Sequence, residues 1–359
     1  MNKIDSDITK AKTLSGDFYC SEEIFQLSKK KIFENSWQFI CSKDEIGEQN
    51  SVFPFYFLDN YISEPLFLIN NNQKISCFSN VCTHRGNILF ESKTSITKNI
   101  VCNYHGKTFD KEGKFVFMPE SEGMANFPCL DDNLTQIKTQ NLFQFIFVSL
   151  SPIISLDTLF SEMIDRIKWL PFDKLKIRKD LSKSYEIDAN WALYCDNYLE
   201  GFHIPFVHKD LNATLDYNLY DVEIFKYCNL QIGYANENDI CFNIPKESKD
   251  YGKNIAAYYF WVFPNMMFNF YPWGLSVNIV KPITVKKTKI EFISYVWDES
   301  KLNIGAGADL DKVELEDEEI VQRVQKGVAS RFYKNGRFSP KMEKGVHHFH
   351  SLISNFLFK

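Results

Sequence analysis

Two short segments that each pair a cysteine with a histidine constrain this chain more than any other feature. The first reads CTHRG over residues 82–86, and the second reads CNYHG over residues 102–106. Two thiolates and two imidazoles fit either a [2Fe–2S] cluster, with the cysteines on one iron and the histidines on the other, or a structural zinc ion. Zinc fingers commonly group cysteine with cysteine and histidine with histidine, whereas each segment here supplies one of each. The spacing therefore favours the cluster.

Length and composition indicate a folded protein of two domains. The chain has 359 residues, of which 45% are hydrophobic and 24% charged, so wholesale disorder and coiled-coil folds are excluded. A net charge of −5 gives no support for nucleic-acid binding. No apolar run reaches the ~18 residues of a membrane helix, and the N-terminal sequence MNKIDSDITKAK lacks a secretory apolar stretch. We expect a cytoplasmic protein whose nine cysteines, which show no disulfide rhythm, are reduced thiols or metal ligands.

The pattern of apolar, polar and turn-forming residues divides the chain into three parts. Residues 1–36 contain a predicted amphipathic helix at 21–34, capped by Ser21, that packs on the C-terminal domain. Residues 37–150 show short, aromatic-rich runs separated by turn residues, which predict an all-β domain carrying both Cys/His segments. Residues 151–359 mix predicted strands with helices, among them 188–203 and 312–334. The predicted fold class is α+β.

A second set of polar side chains falls on the predicted helix 188–203. Asp196, Glu200 and His203 follow one another at i, i+4 and i+7, which places them on one helix face. Burying such groups is costly unless a metal ion or a hydrogen-bond network supplies partners. His208 follows His203 closely, and Pro205 between them is expected to distort the helix so that both imidazoles converge on one ion. The pattern predicts a mononuclear metal site.

A carboxylate is needed to complete this site, because two neutral imidazoles leave the charge of a divalent ion uncompensated. Asp317 extends the expected apolar stripe of the helix 312–334, which consists of Ile320, Val321, Val324 and Val328. On helix geometry alone, Asp317 is equally well a first-turn residue favoured by the helix dipole or a metal ligand, and Glu314 is the alternative ligand. Two histidines and one carboxylate with open positions form the facial triad of non-haem Fe(II) oxygen chemistry.

Both sets of residues resemble those of the Rieske non-haem iron oxygenases. The resemblance covers essentially the whole chain, and it is strongest toward the choline and carnitine monooxygenase-like branch. The segments that carry it, besides the two Cys/His segments, are NW (190–191), DNYLEGFHIPFVH (196–208), ED (316–317), VQRVQKG (321–327) and GVHHFH (345–350). Lys107 is a departure, since relatives often have tryptophan there. The resemblance implies an all-β Rieske domain and a catalytic domain whose antiparallel sheet is flanked by helices, as in the START-like helix-grip fold.

The resemblance also implies cofactors and roles for individual residues. A Rieske [2Fe–2S] cluster and a mononuclear Fe(II) are implied as cofactors. The implied cluster ligands are Cys82, His84, Cys102 and His105, and the implied iron ligands are His203, His208 and Asp317. Glu200 is implied to link the iron site to the Rieske histidine of a neighbouring subunit. Asn197 and Asp196 match the same catalytic motif.

The implied activity is that of a terminal oxygenase component. It would use O₂ to hydroxylate or oxidatively N-demethylate a small organic substrate, such as a quaternary amine. The chain has no flavin or nicotinamide fingerprint, since GAGA at 305–308 lacks the third glycine and the strand–turn–helix context. Electrons are therefore expected from a separate NAD(P)H-dependent reductase, with or without a ferredoxin. Electron transfer between subunits implies an oligomer, and a homotrimer is expected.

Three alternatives stay open from the sequence. An aromatic-ring-hydroxylating dioxygenase α subunit would form a cis-diol and usually needs a small β partner. A Rieske electron carrier with a vestigial second site would hold about two iron atoms per chain instead of about three. A zinc-stabilised binding module would be colourless and redox-silent.

Two further groups of residues have simpler interpretations. The aromatic run at 258–273 suits a quaternary-ammonium pocket, but aromatic residues at period two more often pack within a sheet. His347, His348 and His350 lie on a predicted terminal helix, and we interpret them as surface or packing residues rather than ligands.

Overall fold

The protein divides into two compact units. The structure, a computed structural model, describes residues 3–207, 221–235, 239–308 and 310–358, without the side chains of residues 221, 310 and 311. One unit is Glu34–Ile153, and the other combines Met1–Phe33 with Ile154–Lys359. No helix in these described ranges is both long enough and apolar enough to cross a membrane.

Two short helices begin the larger unit, α1 (Gly16–Cys20) and α2 (Glu22–Lys31). Ser21 stands between them, and its hydroxyl accepts a hydrogen bond from the Ile24 N–H (3.4 Å). Acidic residues occupy the first turn of α2 and lysines its last turn, which matches the direction of the helix dipole. The helix start predicted from Ser21 is confirmed.

The smaller unit is built from antiparallel strands. Its elements are β1 (Gln38–Ser42), α3 (Lys43–Ile46), β2 (Ser51–Phe57), β3 (Glu64–Asn71), β4 (Lys74–Ser79), β5 (Thr94–Ser95), β6 (Ile100–Val101), β7 (Thr108–Phe109), β8 (Phe115–Phe117), β9 (Gln136–Leu142) and β10 (Phe145–Ser149). Seven strands form one sheet in the order β1-β10-β9-β4-β3-β2-β5, and β6, β7 and β8 form a second, as counted over this fully described unit. Phe67, Phe78 and Phe109 pack with Cys82 and Cys102 in a common apolar core. The β-rich prediction is confirmed, and the fold holds both thiols in its interior.

The larger unit continues as an antiparallel sheet with helices. Its remaining elements are α4 (Leu156–Ile167), β11 (Lys176–Ile177), β12 (Lys183–Ile187), α5 (Trp191–Tyr198), α6 (Ile204–Val207), β13 (Asp221–Ile224), β14 (Cys228–Tyr234), β15 (Ile255–Val262), β16 (Met266–Tyr271), β17 (Gly274–Thr284), β18 (Lys287–Val296), α7 (Leu310–Val328) and α8 (Lys344–Leu357). Within the described residues the sheet order is β11-β18-β17-β16-β15-β14-β13, and β12 also pairs with β18. The predicted α+β fold class is confirmed. The aromatic run 258–273 supplies buried strand residues, with the Tyr271 and Trp273 rings stacked at 5.2 Å.

Two glutamines of α7 fix the start of α5. The Gln325 side-chain oxygen accepts from the Asn190 N–H (2.8 Å), and that of Gln322 accepts from the Asp188 N–H (3.2 Å). These bonds turn α7 so that its buried side consists of Glu318, Val321, Gln325 and Val328. The expected stripe was therefore partly wrong: Val321 and Val328 are buried as predicted, but Val324 is 42% exposed, and Glu318 and Gln325 are buried.

Replacing Gln325 by leucine should lower the free energy of unfolding by about 2 kcal/mol, because the Asn190 N–H would stay buried without its acceptor. Urea unfolding measures the loss. The matched control is Gln322→Leu, three residues away on the same helix, where the bond is longer and more exposed and the expected loss is below about 0.5 kcal/mol. Equal losses in the two variants would contradict this account.

Helix α8 carries a half-buried histidine on its sheet-facing side. The Asn229 amide donates to the Gly345 carbonyl (3.3 Å), so its oxygen accepts from the Nδ1–H of His348 (2.7 Å). Burial lowers the pKa of His348 to about 4. The folded state therefore keeps His348 neutral at a pH where the unfolded chain protonates it.

Acid should therefore destabilise the protein in part through His348. The ordinary histidine pKa is about 6.5, so this contribution is complete above that pH and is lost as the pH falls toward about 4. Between pH 7 and pH 5 we expect wild type to lose about 2 kcal/mol more than His348→Gln, which does not titrate. Urea midpoints at the two pH values test this, and identical pH dependence in the two proteins would refute it.

Candidate metal centres

The two Cys/His segments form loops with the same backbone hydrogen bonds. The N–H groups of Cys82 and Cys102 each donate to the carbonyl five residues later (2.8 and 2.9 Å), and their carbonyls accept from the N–H four residues later (3.0 and 2.9 Å). Both loops then turn at a glycine with positive φ, Gly86 (70°) and Gly106 (71°). Glycine adopts this conformation without steric cost, which explains its place in both segments.

The paired loops sort the four side chains by type. The Cys82 and Cys102 thiols are buried, and each shifts the pKa of the other. The half-buried imidazoles of His84 and His105 have ring centroids 4.7 Å apart. A Rieske cluster needs two cysteines on one iron and two histidines on the other, whereas a zinc ion needs all its donors around one point. Among the described residues, no three His, Cys, Asp or Glu side chains are placed to hold a single ion.

Two atoms of these loops are prepared for a ligand. The buried Nδ1 of His105 has no hydrogen-bond partner among the described residues, and buried polar atoms rarely lack one. Burial raises the pKa of the Cys102 thiol, but N–H groups that include those of Tyr104 and His105 bring it below its ordinary value. The Asn87 amide nitrogen also lies 3.7 Å from the Cys102 sulfur. The four side chains therefore fit a Rieske cluster.

A tight turn after α5 orients His203. Glu200 lies in this turn, and its Oε2 accepts from the N–H groups of Phe202 and His203 (3.2 Å for the latter). Its other oxygen lies 2.6 Å from Nδ1 of His203. A carboxylate on one imidazole nitrogen fixes the ring and leaves the other nitrogen to face a metal ion.

Asp317 faces that other nitrogen. Its Oδ1 lies 3.4 Å from Nε2 of His203 and accepts from the Asn197 amide (2.6 Å). Burial lowers the pKa of His203, but hydrogen bonds to Asp317 and Glu200 raise it to about 10. The two carboxylates thus favour a positive charge at this point, either a proton or a metal ion. Two adjacent ligand atoms of a divalent ion lie roughly 3 Å apart, so the pair fits a mononuclear site.

The expected single helix face was wrong. Helix α5 ends at Tyr198, so Glu200 and His203 belong to the following turn and not to the face that carries Asp196. Pro205 lies inside the short helix α6 and does not kink a continuous helix. His208, the other predicted imidazole ligand, lies outside the described residues.

Asp196 contacts a different group of residues. Its carboxylate accepts from the Tyr19 hydroxyl (2.7 Å) and from Nε2 of His350 (2.8 Å). His350 is 1% exposed, and its Nδ1 accepts from the Leu14 N–H (3.1 Å), so Nε2 carries the proton. This network anchors α5 next to Asn197. The sequence reasoning missed Tyr19 and His350 as its members, because no local pattern links residues so distant in the chain.

The fold and the two donor sets define a Rieske-type iron protein, and family comparisons agree. A family model described as "Rieske [2Fe-2S] domain" matches residues 36–128, and another described as "Ring hydroxylating alpha subunit (catalytic domain)" matches residues 172–357. The chain belongs to the ring-hydroxylating α-subunit family. It is a Rieske oxygenase, whose cofactors are a Rieske [2Fe–2S] cluster and a mononuclear non-haem iron.

The similarity to known proteins covers nearly the whole chain. The chloroplastic choline monooxygenase of Arabidopsis thaliana is 28% identical over 367 residues, which cover 96% of this chain and 83% of the relative. The carnitine monooxygenase oxygenase subunit of Escherichia coli K12 is 26% identical over 365 residues, covering 96% and 94%. The crystal structure of the quaternary ammonium Rieske monooxygenase CntA with L-carnitine superposes with a TM-score of 0.78 at 22% identity, covering 99% of each chain. The resemblance predicted from the sequence is confirmed.

Proposed function

We propose that this Rieske oxygenase acts on a small quaternary ammonium compound, hydroxylating it or removing an N-methyl group by oxidation. Relatives whose names specify choline and carnitine support this substrate class. One arrangement of residues supports the oxygenase assignment in particular. The His203 imidazole lies between two carboxylates, with Nδ1 2.6 Å from Glu200 and Nε2 3.4 Å from Asp317. A chain that only carried electrons would have no use for it.

Each donor has a specific proposed role. Cys82, His84, Cys102 and His105 would hold the cluster, and His203, His208 and Asp317 would hold the iron. When bound, the cluster supplies single electrons and the open ferrous site activates O₂. Glu200 accepts the Nδ1–H of His203 and so fixes its tautomer, and Asn197 holds the Asp317 carboxylate in place through its amide.

The partners belong to the same proposal. The reaction consumes one O₂, two external electrons and two protons for each substrate and releases one water, and those electrons come from a separate NAD(P)H-dependent reductase. We further propose a homotrimer in which Glu200 connects its iron site to the Rieske histidine of the neighbouring subunit. The cytoplasmic location and the domain bounds 1–36, 37–150 and 151–359 stay predictions from the sequence.

A substrate screen tests the proposal. Iron-reconstituted protein with a generic reductase is offered betaines, carnitines, choline and simple aromatic compounds, and O₂ uptake is compared with product formed. We expect stoichiometric coupling with a quaternary amine and about three iron atoms per chain. A cis-diol from an aromatic compound would instead support the ring-dioxygenase alternative. About two iron atoms per chain and no coupled uptake would support the electron carrier.

A further inference from the structure

The residue after the second cluster glycine is a buried lysine. Lys107 is only 1% exposed, and its ammonium group pairs with the Asp132 carboxylate (2.8 Å). Three phenylalanine rings surround the ammonium group with centroids 5.5 to 5.8 Å away: Phe109, Phe115 and Phe127. This enclosure keeps water from most of the side chain, so the charge is weakly screened. A cation is costly to bury, and its presence at this position calls for an explanation.

Asp132 connects the lysine to both cluster loops. Its carboxylate binds Lys107 in the second loop, and its backbone carbonyl accepts from the Thr83 hydroxyl in the first loop (2.9 Å). The hydrogen bond from Lys107 holds the pKa of the Asp132 carboxyl below its usual range, so the carboxylate is ionised. The ion pair is therefore a fixed dipole that is hydrogen-bonded to both loops.

The Lys107 side chain starts from the second cluster loop itself. The backbone carbonyl of Lys107 accepts from the Cys102 N–H (2.9 Å), and Thr83, which is bonded to Asp132, stands between Cys82 and His84. Hydrogen bonds therefore tie the ion pair to both segments that supply the proposed cluster ligands.

We propose that Lys107 is a positioning charge that raises the reduction potential of the Rieske cluster. The inference rests on the cluster ligands assigned under Proposed function. Reduction adds one electron from the reductase, breaks no bond and makes the cluster more negative by one charge. A nearby cation stabilises the reduced form relative to the oxidised form, and burial preserves that stabilisation.

An electrostatic role and a purely structural role of the ion pair predict different results for variants of Lys107 and Asp132. If the ion pair only clamps the loops together, removing either partner should disturb the cluster in the same way. If the field matters, removing Lys107 lowers the potential, whereas removing the negative charge of Asp132 raises it. Asp132→Asn keeps the backbone carbonyl that Thr83 uses, so this contact is preserved in the variant.

The experiment is a redox titration of the reconstituted full-length protein at pH 7, followed by the EPR signal of the reduced cluster. At a fixed ambient potential, Lys107→Met should reduce the ratio of reduced to oxidised cluster about tenfold, which corresponds to about 59 mV for a one-electron couple. Asp132→Asn should increase that ratio. Lys107→Arg keeps the positive charge, so its ratio should stay near the wild-type value. The matched control is Lys93→Met, a lysine of the same unit that lies 4.1 Å from the Phe53 ring centroid and should leave the ratio unchanged.

Each outcome separates this inference from the proposed function. Shifts in the same direction for Lys107→Met and Asp132→Asn, or unchanged potentials with an intact signal, would overturn the role of Lys107 while leaving the cluster in place. Absence of a Rieske signal in wild type would overturn the cluster assignment itself. If Lys107→Met fails to assemble a cluster, the opposite shift in Asp132→Asn and the recovery in Lys107→Arg still decide the question.

Discussion

Asp317→Ala should lose its mononuclear iron while its Rieske cluster stays intact, and its rate of substrate turnover should fall at least about 1000-fold. Asp317 supplies the proposed carboxylate ligand, and Oδ1 lies 3.4 Å from Nε2 of His203. Without it, the proposed ligands His203 and His208 would leave the charge of a divalent ion uncompensated. A metal centre contributes several kcal/mol to a transition state, and about 4 kcal/mol corresponds to this loss of rate. Iron analysis should fall from about three to about two atoms per chain.

A neighbouring acid provides the control for Asp317. Glu319 lies two residues further along α7, is exposed, and pairs with Arg323 one turn later. Glu319→Gln removes the same charge from the same helix and should change neither iron content nor turnover. If Asp317→Ala retains full iron and turnover, the carboxylate ligand is a different residue, and Glu314 becomes the candidate.

Glu200→Gln should keep both metals and yet reduce coupled product formation about 100-fold, the upper end of the usual effect of a residue that supports a metal ligand. A glutamine oxygen can still accept the Nδ1–H of His203, so the ring stays oriented. The negative charge that the carboxylate places beside His203 and the metal ion is lost. The measurement compares O₂ consumed with product formed, beside iron analysis and the EPR signal.

Glu200→Asp distinguishes charge from geometry. It retains the carboxylate on a shorter side chain, so we expect better coupling than in Glu200→Gln with the same iron content. Unchanged turnover and coupling in Glu200→Gln would refute the proposed role. Loss of iron in Glu200→Gln would instead make Glu200 essential for holding the metal.

Local spacing predicted the two Cys/His loops well because each loop is a short, self-contained turn. Cysteine, histidine and glycine fall within a few residues, and backbone hydrogen bonds inside each loop fix their positions. The mononuclear site was less predictable. The helical spacing of Asp196, Glu200 and His203 assumed one continuous helix, but Gly201 follows Glu200, whose carboxylate instead caps the next N–H groups. Glycine after the helix was the signal that could have indicated the end of α5.

Contacts between distant segments account for the other differences. The packing side of α7 depends on Gln325, which binds the backbone at Asn190, and no periodicity within α7 contains that information. His350 was interpreted as a surface or packing residue, and its burial follows from Tyr19 and Asp196, which belong to two other helices. Such partners emerge only when the segments are assembled.

The two cluster loops present their histidines, and not their cysteines, toward solvent. The Cys82 and Cys102 thiols are enclosed by the apolar core, whereas the imidazoles lie nearer solvent beside Tyr104, which is 58% exposed and whose ring lies 3.7 Å from that of His105. In the proposed homotrimer the neighbouring subunit would cover this histidine-lined area, because Glu200 is proposed to connect to a Rieske histidine there. An electron from the reductase would therefore have to enter the cluster by a different path from the one by which it leaves.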